Sequence, residues 1–271
     1  MLTSRCIALA MAMAMAMSVV LAASAWAGGP TLKKKASGDW DVVLGIGPAM
    51  EPEYEGSDTF RVTALPILEV NWRDEVFLSA DDGLGWNALK TRNFRIGPVL
   101  TYYLGSSDYI GTHNRPTGIN EIDSGFQAGA FSEFAFDHVK LDAKALYAIY
   151  GGTEGLTINM GASYGSRIEK DWAIIIRADT TWLNDNEMQS YFGVNSKEAS
   201  NNSLYSEYSP GMGFKDIGLG MDLTYEVSKT WSVLGRAKFS YLLSEAADSP
   251  LITVNGSVYQ FYGGLGLAYH F

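Results

Sequence analysis

Val139-Lys140-Leu141-Asp142-Ala143-Lys144-Ala145-Leu146-Tyr147-Ala148-Ile149 alternates along its length: one parity reads Val, Leu, Ala, Ala, Tyr, Ile, and the other opens on Lys, Asp, Lys. Successive side chains of an extended chain leave opposite faces of the pleat, so this stretch is a strand with one apolar and one charged face. The same period runs outward in both directions. Upstream, Phe94, Ile96, Pro98, Leu100, Tyr102 and Leu104 oppose Asn93, Arg95, Gly97, Val99, Thr101 and Tyr103. Earlier still, Phe60, Val62, Ala64, Pro66, Leu68, Val70 and Trp72 oppose Arg61, Thr63, Leu65, Ile67, Glu69 and Asn71. Downstream, the pattern returns over Ile217 to Val227 and Trp231 to Leu243.

Extending this reading predicts strands over 39–47, 60–72, 75–80, 84–89, 93–104, 124–137, 139–150, 156–169, 171–183, 214–227, 231–243 and 258–271. They take up more than half of the chain, far above the roughly 20–25% strand of an ordinary globular domain. Most are also too long for a soluble sheet, whose strands cluster near 5–6 residues, and they suit a tilted bilayer crossing of about 9–11. Turn length is a second, independent signal. Tight turns at 73–74, 90–93, 137–138, 169–171 and 228–230 alternate with longer connections at 48–59, 105–123, 184–213 and 244–257. Outer-membrane barrels have this alternation, with the short turns periplasmic. It holds only if the chain folds back at Asp81-Asp82-Gly83, a good tight-turn sequence. The expected fold is therefore all-β, an antiparallel transmembrane β-barrel of about twelve strands; ten stays open, because six-residue strands span poorly. Trp40, Trp72, Trp172, Trp231 and Phe271 then sort to the periplasmic rim, and Trp182, Tyr102, Tyr147 and Tyr241 to the external rim, as two aromatic girdles. Leu100, Leu141, Leu223 and Phe239 should face lipid, and Arg95, Asp142, Asp222 and Lys238 the lumen.

The chain begins differently. Arg5 precedes an apolar run from Cys6 to Leu21 that ends at Ala25-Trp26-Ala27, which predicts a secretory signal peptide over 1–27, cleaved after Ala27. Residues 28–38 would form a periplasmic N-terminal segment and 39–271 the barrel. Cys6 is the only cysteine of the 271 residues, which excludes a disulfide framework and a cysteine-built zinc site. With 30 Asp plus Glu against 20 Lys plus Arg, the net charge is −10, and the chain lacks the basic footprint of a nucleic-acid binder. The one basic patch is Lys33-Lys34-Lys35, a candidate partner contact on the periplasmic side and otherwise a solvated leader.

Chemistry is sparse. His113, His138 and His270 have no metal partner at a readable spacing, and no Gly-x-Ser-x-Gly elbow occurs. A serine and a histidine brought together only by the fold stay open as a hydrolase arrangement. Gly211-Met212-Gly213 and Gly263-Gly264-Leu265-Gly266 do not sit between a strand and a helix, as a nucleotide loop requires. No cofactor is expected. The lumen parity carries Arg61, Arg95, Lys140, Lys144, Arg177, Arg236 and Lys238 with Glu69, Glu133, Asp142, Asp179, Asp222 and Glu226. Near balance of sign predicts a cross-strand ion-pair network in preference to a selectivity surface, since pores present rings of one sign. The loop Glu51 to Asp58, with four carboxylates around Tyr54, is expected to be a solvated acidic loop, with a hard-cation site as the sharper alternative.

That loop also carries a resemblance. Pro52-Glu53-Tyr54-Glu55-Gly56-Ser57-Asp58, then Leu65-Pro66 and Gly83-Leu84-Gly85, resemble the N-terminal half of the MipA/OmpV family, the MltA-interacting proteins. Tyr191-Phe192-Gly193-Val194, Lys215 to Gly220, Leu242-Leu243-Ser244, Asp248-Ser249-Pro250-Leu251 and the terminal Tyr269-His270-Phe271 follow in the family's order. The resemblance covers about Gly38 to Phe271. It implies a non-enzymatic barrel integral to the outer membrane of a Gram-negative cell, in contact with lipid and lipopolysaccharide. It further implies a scaffold for peptidoglycan-remodelling enzymes, a murein hydrolase of the lytic transglycosylase type and a murein synthase. The alternatives are a small-solute channel, or the surface adhesin and antibiotic-response roles to which other members are linked.

Overall fold

In the computed structural model, residues 38–105 and 115–271 are described. The expected signal peptide, Lys33, Lys34, Lys35 and His113 lie outside them. Strands β1 (Trp40–Pro52), β2 (Phe60–Trp72), β3 (Val76–Ser79) and β4 (Gly83–Trp86) are followed by the two-residue β5 (Leu89–Lys90) and by β6 (Phe94–Tyr103). Then come β7 (Gly125–Phe136), β8 (Val139–Gly151), β9 (Leu156–Arg167), β10 (Trp172–Leu183), β11 (Gly213–Glu226), β12 (Trp231–Leu242) and β13 (Tyr259–His270). Every neighbour pair is antiparallel. The ring closes twice, by β1 on β13 and by β4 on β6 at Leu84↔Leu100 and Gly85↔Val99. The result is a closed twelve-stranded barrel, with β5 a short addition against β6 at Leu89↔Ile96 and Lys90↔Arg95.

The fold-back at Asp81-Asp82-Gly83 is present, and it settles the count at twelve. Its strands are shorter than read, with four residues each, and Gly83 takes φ +78°, a left-handed conformation that glycine adopts without strain. β1 differs in the other direction. It continues past 47 to Pro52, in register with β2 down to Pro52↔Phe60. Pro48 does not end it, because its missing N–H falls on the β13 side, where pairing skips from Ile46↔Leu267 to Ala49↔Gly264. The expected 48–59 loop thus shrinks to 53–59.

The facing follows the parity. Leu141 and Phe239 are about half exposed on the outer wall, 51% and 47%, and Leu100 lies on the same surface at 37%. Leu223 shares the outward parity of Leu219 and Met221, while Arg95, Asp142, Asp222 and Lys238 make their ion pairs inside. The wall residues show the burial alternation of a sheet with lipid on one side and a filled lumen on the other.

Two of the long external connections, 184–213 and 244–257, are not plain loops. α1 (Asp185–Phe192) and α2 (Ser196–Asn201) occupy the first, and α3 (Ser244–Ala247) and α4 (Pro250–Thr253) the second. Asn184 accepts from the Glu187 N–H, and Asn195 and Glu198 form a complete capping box. Both starts were written in the sequence as Asn followed three residues later by Glu, a helix-entry signature that strand periodicity does not register.

Candidate functional site

The external helices build a packed cap over the barrel mouth. Leu183 and Leu242, at the external ends of β10 and β12, meet Met188 and Phe192 of α1, Ala246 of α3 and Ile252 of α4. Met188, Phe192, Leu242 and Ala246 are each 0% exposed. A second cluster joins Ile119, Val194, Tyr205 and Leu251. Burial of this quality, worth about 1.5–3 kcal/mol per large side chain, makes the cap a small core of its own.

Several of the family-like motifs, far apart in sequence, meet in this cap, while Leu65-Pro66, Gly83-Leu84-Gly85 and Tyr269-His270-Phe271 lie in the barrel wall, the hairpin and the periplasmic end. Ser249 Oγ donates to the Phe192 carbonyl at 2.6 Å and accepts from the Leu251 N–H at 3.2 Å, which ties Tyr191-Phe192-Gly193-Val194 to Asp248-Ser249-Pro250. Val194 exchanges backbone bonds with Tyr208. The first motif joins from the other side: Ser57 bridges to Gly256, and the Gly56 N–H donates to Gln260 Oε1 at 3.1 Å. Gly56 holds φ +94°, and a Cβ there would lie 1.8 Å from Ile252 Cδ1, so only glycine fits. Pro52 is buried, Tyr54 reaches the Asn255 carbonyl at 3.4 Å, and Asp58 and Asp248 are exposed.

The acidic loop is only partly solvated: Glu53 and Asp58 are exposed, while Glu51 and Glu55 are held by cations of the barrel. Glu51 pairs with Arg61 at 2.8 Å, Glu55 with Lys215 at 2.9 Å, and Glu53 accepts from Thr59 at 2.8 Å. Arg61 is the hairpin partner of Glu51 in the β1–β2 register, whereas Lys215 comes from β11, 160 positions away, which a reading along the chain cannot see. Among the described residues no group of three or more His, Cys, Asp or Glu is arranged to hold a metal ion. Burial pushes the Tyr54 hydroxyl up to about 12, and burial followed by Glu245 does the same for Tyr208. Glu187, 1% exposed in α1, accepts from Thr157 at 3.0 Å and from Thr153, and burial raises its carboxyl above the usual range.

Below the cap, the lumen is spanned by charge. Arg95 forks onto Glu133 at 2.8 and 2.6 Å, Arg177 onto Asp142 at 2.6 and 2.7 Å, and Lys238 reaches Asp179 at 2.6 Å. Lys140 lies between Glu133 and Asp142, which stand directly opposite each other in the β7–β8 register. The expected cross-strand network is there, with two members the sequence did not offer. The tip of the β3–β4 hairpin bends into the lumen, where Asp81 pairs with Arg236 of β12 at 2.9 Å and Asp82 with Lys144 of β8 at 3.0 Å. Arg236 is shared with Asp222 at 2.9 Å. Phe77 of the same hairpin packs on Val99, Phe131 and Leu146. Turn chemistry located the fold-back, but its inward bend arises from partners 62 to 155 residues away.

The fold also brings one serine and one histidine together. Ser232 Oγ and His270 Nε2 are 2.9 Å apart at the periplasmic end. Ser232 is 1% exposed, and the contact joins β12 to the end of β13, a structural tie across the last strand pair.

The chain is 31% identical over 71 residues to the MltA-interacting protein of Escherichia coli (strain K12), and equally to that of Shigella flexneri; the match covers 26% of this chain and 28% of each relative. The matched stretch thus spans little more than a quarter of those relatives' length. Among solved structures, the NanC porin is similar with a TM-score of 0.40 and 9% identity, covering 85% of this chain and 98% of that one. The N-terminal β-barrel domain of Pseudomonas aeruginosa OprF gives a TM-score of 0.29 and 14% identity, covering 69% and 99%. The family model described as MltA-interacting protein MipA matches residues 44–271. That span takes in both closures of the ring, the inward hairpin and the capped mouth: the chain belongs to the MltA-interacting protein MipA family and is an integral outer-membrane barrel.

Proposed function

We propose that this protein is a non-enzymatic scaffold, which anchors peptidoglycan-remodelling enzymes at the inner face of the outer membrane. The observation that carries the reading is the two-level closure of the barrel. A packed cap fills the external mouth, and an ion-paired hairpin crosses the lumen below it. A body closed in this way offers surfaces rather than a route. The surfaces within reach of a periplasmic enzyme are the tight turns, the chain end and residues 28–38 with Lys33, Lys34 and Lys35. The relatives' name, MltA-interacting protein, supports a lytic murein enzyme as one partner, and the family resemblance supports a murein synthase as the other. The outward belt and external rim are the contacts for lipid and lipopolysaccharide. The barrel needs no cofactor for this role.

Pull-down of periplasmic murein enzymes by the purified barrel tests the proposal. The wild-type protein is expected to capture a lytic transglycosylase. Lys33→Ser, Lys34→Ser and Lys35→Ser together should weaken capture and flatten its salt dependence, because steering by the patch is screened within about 10 Å at 0.1 M salt. Capture of no murein enzyme at either salt concentration overturns the scaffold.

A further inference from the structure

The inward hairpin leaves the barrel wall incomplete. β2 runs from Phe60 to Trp72, but β3 pairs with it only from Glu69 to Trp72. Leu68 still accepts from the Ala80 N–H at 3.0 Å, and above it β2 has only β1 as a strand neighbour among the described residues. On the far side, β6 is paired to β4 no higher than Leu100. Among the described residues, the external half of the wall therefore lacks strand pairing between β2 and β6. The residues of β2 whose backbone groups point into this interval are of the parity of Leu68, which includes Pro66. A proline there removes one N–H that lipid could not satisfy, the usual protection of an exposed strand edge.

Burial along β2 bears on the same place. β10 and β13 alternate between buried and exposed, but β2 is intermediate on both faces from Thr63 to Trp72. Leu65 and Ile67 face inward, against the bare backbones of Gly264 and Gly266, and yet are not buried. A cavity of about 170 Å³ explains this. Leu65, Pro66, Ile67, Leu68, Leu78 and Ala80 line one end of it, residues of both parities; Asp81, Asp222 and Arg236 lie along it, and Ser228, Lys229 and His270 line its other end, at the periplasmic turn. The cavity thus runs from the periplasmic end of the lumen up to the wall where the wall is interrupted, and its apolar end is the one at the interruption. Among the described residues the cap packs over the external mouth, so from the outer half of the membrane this end of the cavity is approached through the side.

We propose that this notch is a lateral lipid-binding site: a single acyl chain of an outer-leaflet lipid enters between β2 and the β3–β4 hairpin and lies against Leu65 and Ile67. The occupant follows from position. An opening at this depth in the wall of an integral barrel borders hydrocarbon, and the exposed side chains around it, Val62, Leu84 and Leu100, are apolar. The charged hairpin tip sets the inner limit, since a methylene chain gains nothing beyond Asp81 and Arg236.

The test uses the full barrel reconstituted in phosphatidylcholine vesicles that contain a phosphatidylcholine with a diazirine near the end of one acyl chain. After illumination, adducts are mapped by residue. Adducts are expected on Leu65 and Ile67 as well as on the outward Leu141 and Phe239, and they should be absent from the inward Ser163 and Ser240. Ile67→Trp fills the apolar end and should abolish the Leu65 adduct while the outer wall stays labelled; heat-modifiable gel migration reports that the variant has folded. If it does not fold, Leu78→Trp narrows the same end from the hairpin. Adducts confined to outward residues overturn the proposal, as does labelling of Ser163 and Ser240 at the yield of Leu65, or a Leu65 adduct that survives in a folded filled variant.

Discussion

Asp142 and Arg177 show what a lumen charge is worth in this protein. Both side chains are nearly buried, at 13% and 8% exposure, and they meet in a two-pronged contact. Removing one partner of such a pair costs about 3–5 kcal/mol, because the survivor is left buried and uncompensated, whereas replacing both with uncharged side chains of similar size is often nearly neutral. Asp142→Asn and Arg177→Met should therefore each lower stability to urea by that order, and the double variant by clearly less than the sum. Equilibrium unfolding in lipid vesicles checks this. Next door, Leu141→Arg should cost about 2–4 kcal/mol for a different reason, a cation placed at mid-depth against lipid. Residue facing was legible from the sequence because a period of two is a local property. Partner choice was legible only between adjacent strands: that Arg95 meets Glu133 and Asp222 meets Arg236 follows from hairpin register, but that Asp81 meets Arg236 depends on how the ring closes.

Among the elements, α1 carries the clearest pH signature. The Glu187 carboxyl is buried beneath the cap, and burial holds its folded pKa above the ordinary carboxylate value. The folded cap then binds this proton more tightly than the unfolded chain does. Stability from this group is fully present at low pH and is lost as pH rises from the ordinary carboxylate range through the raised folded value. Glu187→Gln keeps acceptor capacity toward Thr157 and removes the titration. The variant should unfold its cap with a flatter pH dependence than the wild type, seen as amide exchange of Met188 to Phe192 measured across the acid range; an unchanged profile would place the titration elsewhere. The helices themselves were missed in the sequence because they are short and sit between strands, where their apolar residues read as loop. Their Asn-to-Glu caps were the available signal. The elements read best were the long strands, whose alternation repeats often enough to outweigh local exceptions such as Pro48.

At the scale of the whole molecule, the barrel is closed at one end by packing and in the middle by charge. Purified protein in a planar bilayer should show no steady single-channel conductance, and Asp81→Asn with Asp82→Asn should not create one, because the cap remains. Stable open steps in the wild type would return the channel reading to first place. The hairpin behind this closure also constrains how the barrel is made. Its two carboxylates reach Lys144 and Arg236, residues on strands far along the chain from the hairpin itself, the second of them 155 positions away. Until β8 and β12 have both taken their places, the tip has nothing to hold and two charges are stranded in the growing sheet. The pairing thus depends on two distant strands at once: a ring with β8 or β12 out of register leaves one of the two acids without the partner it has here.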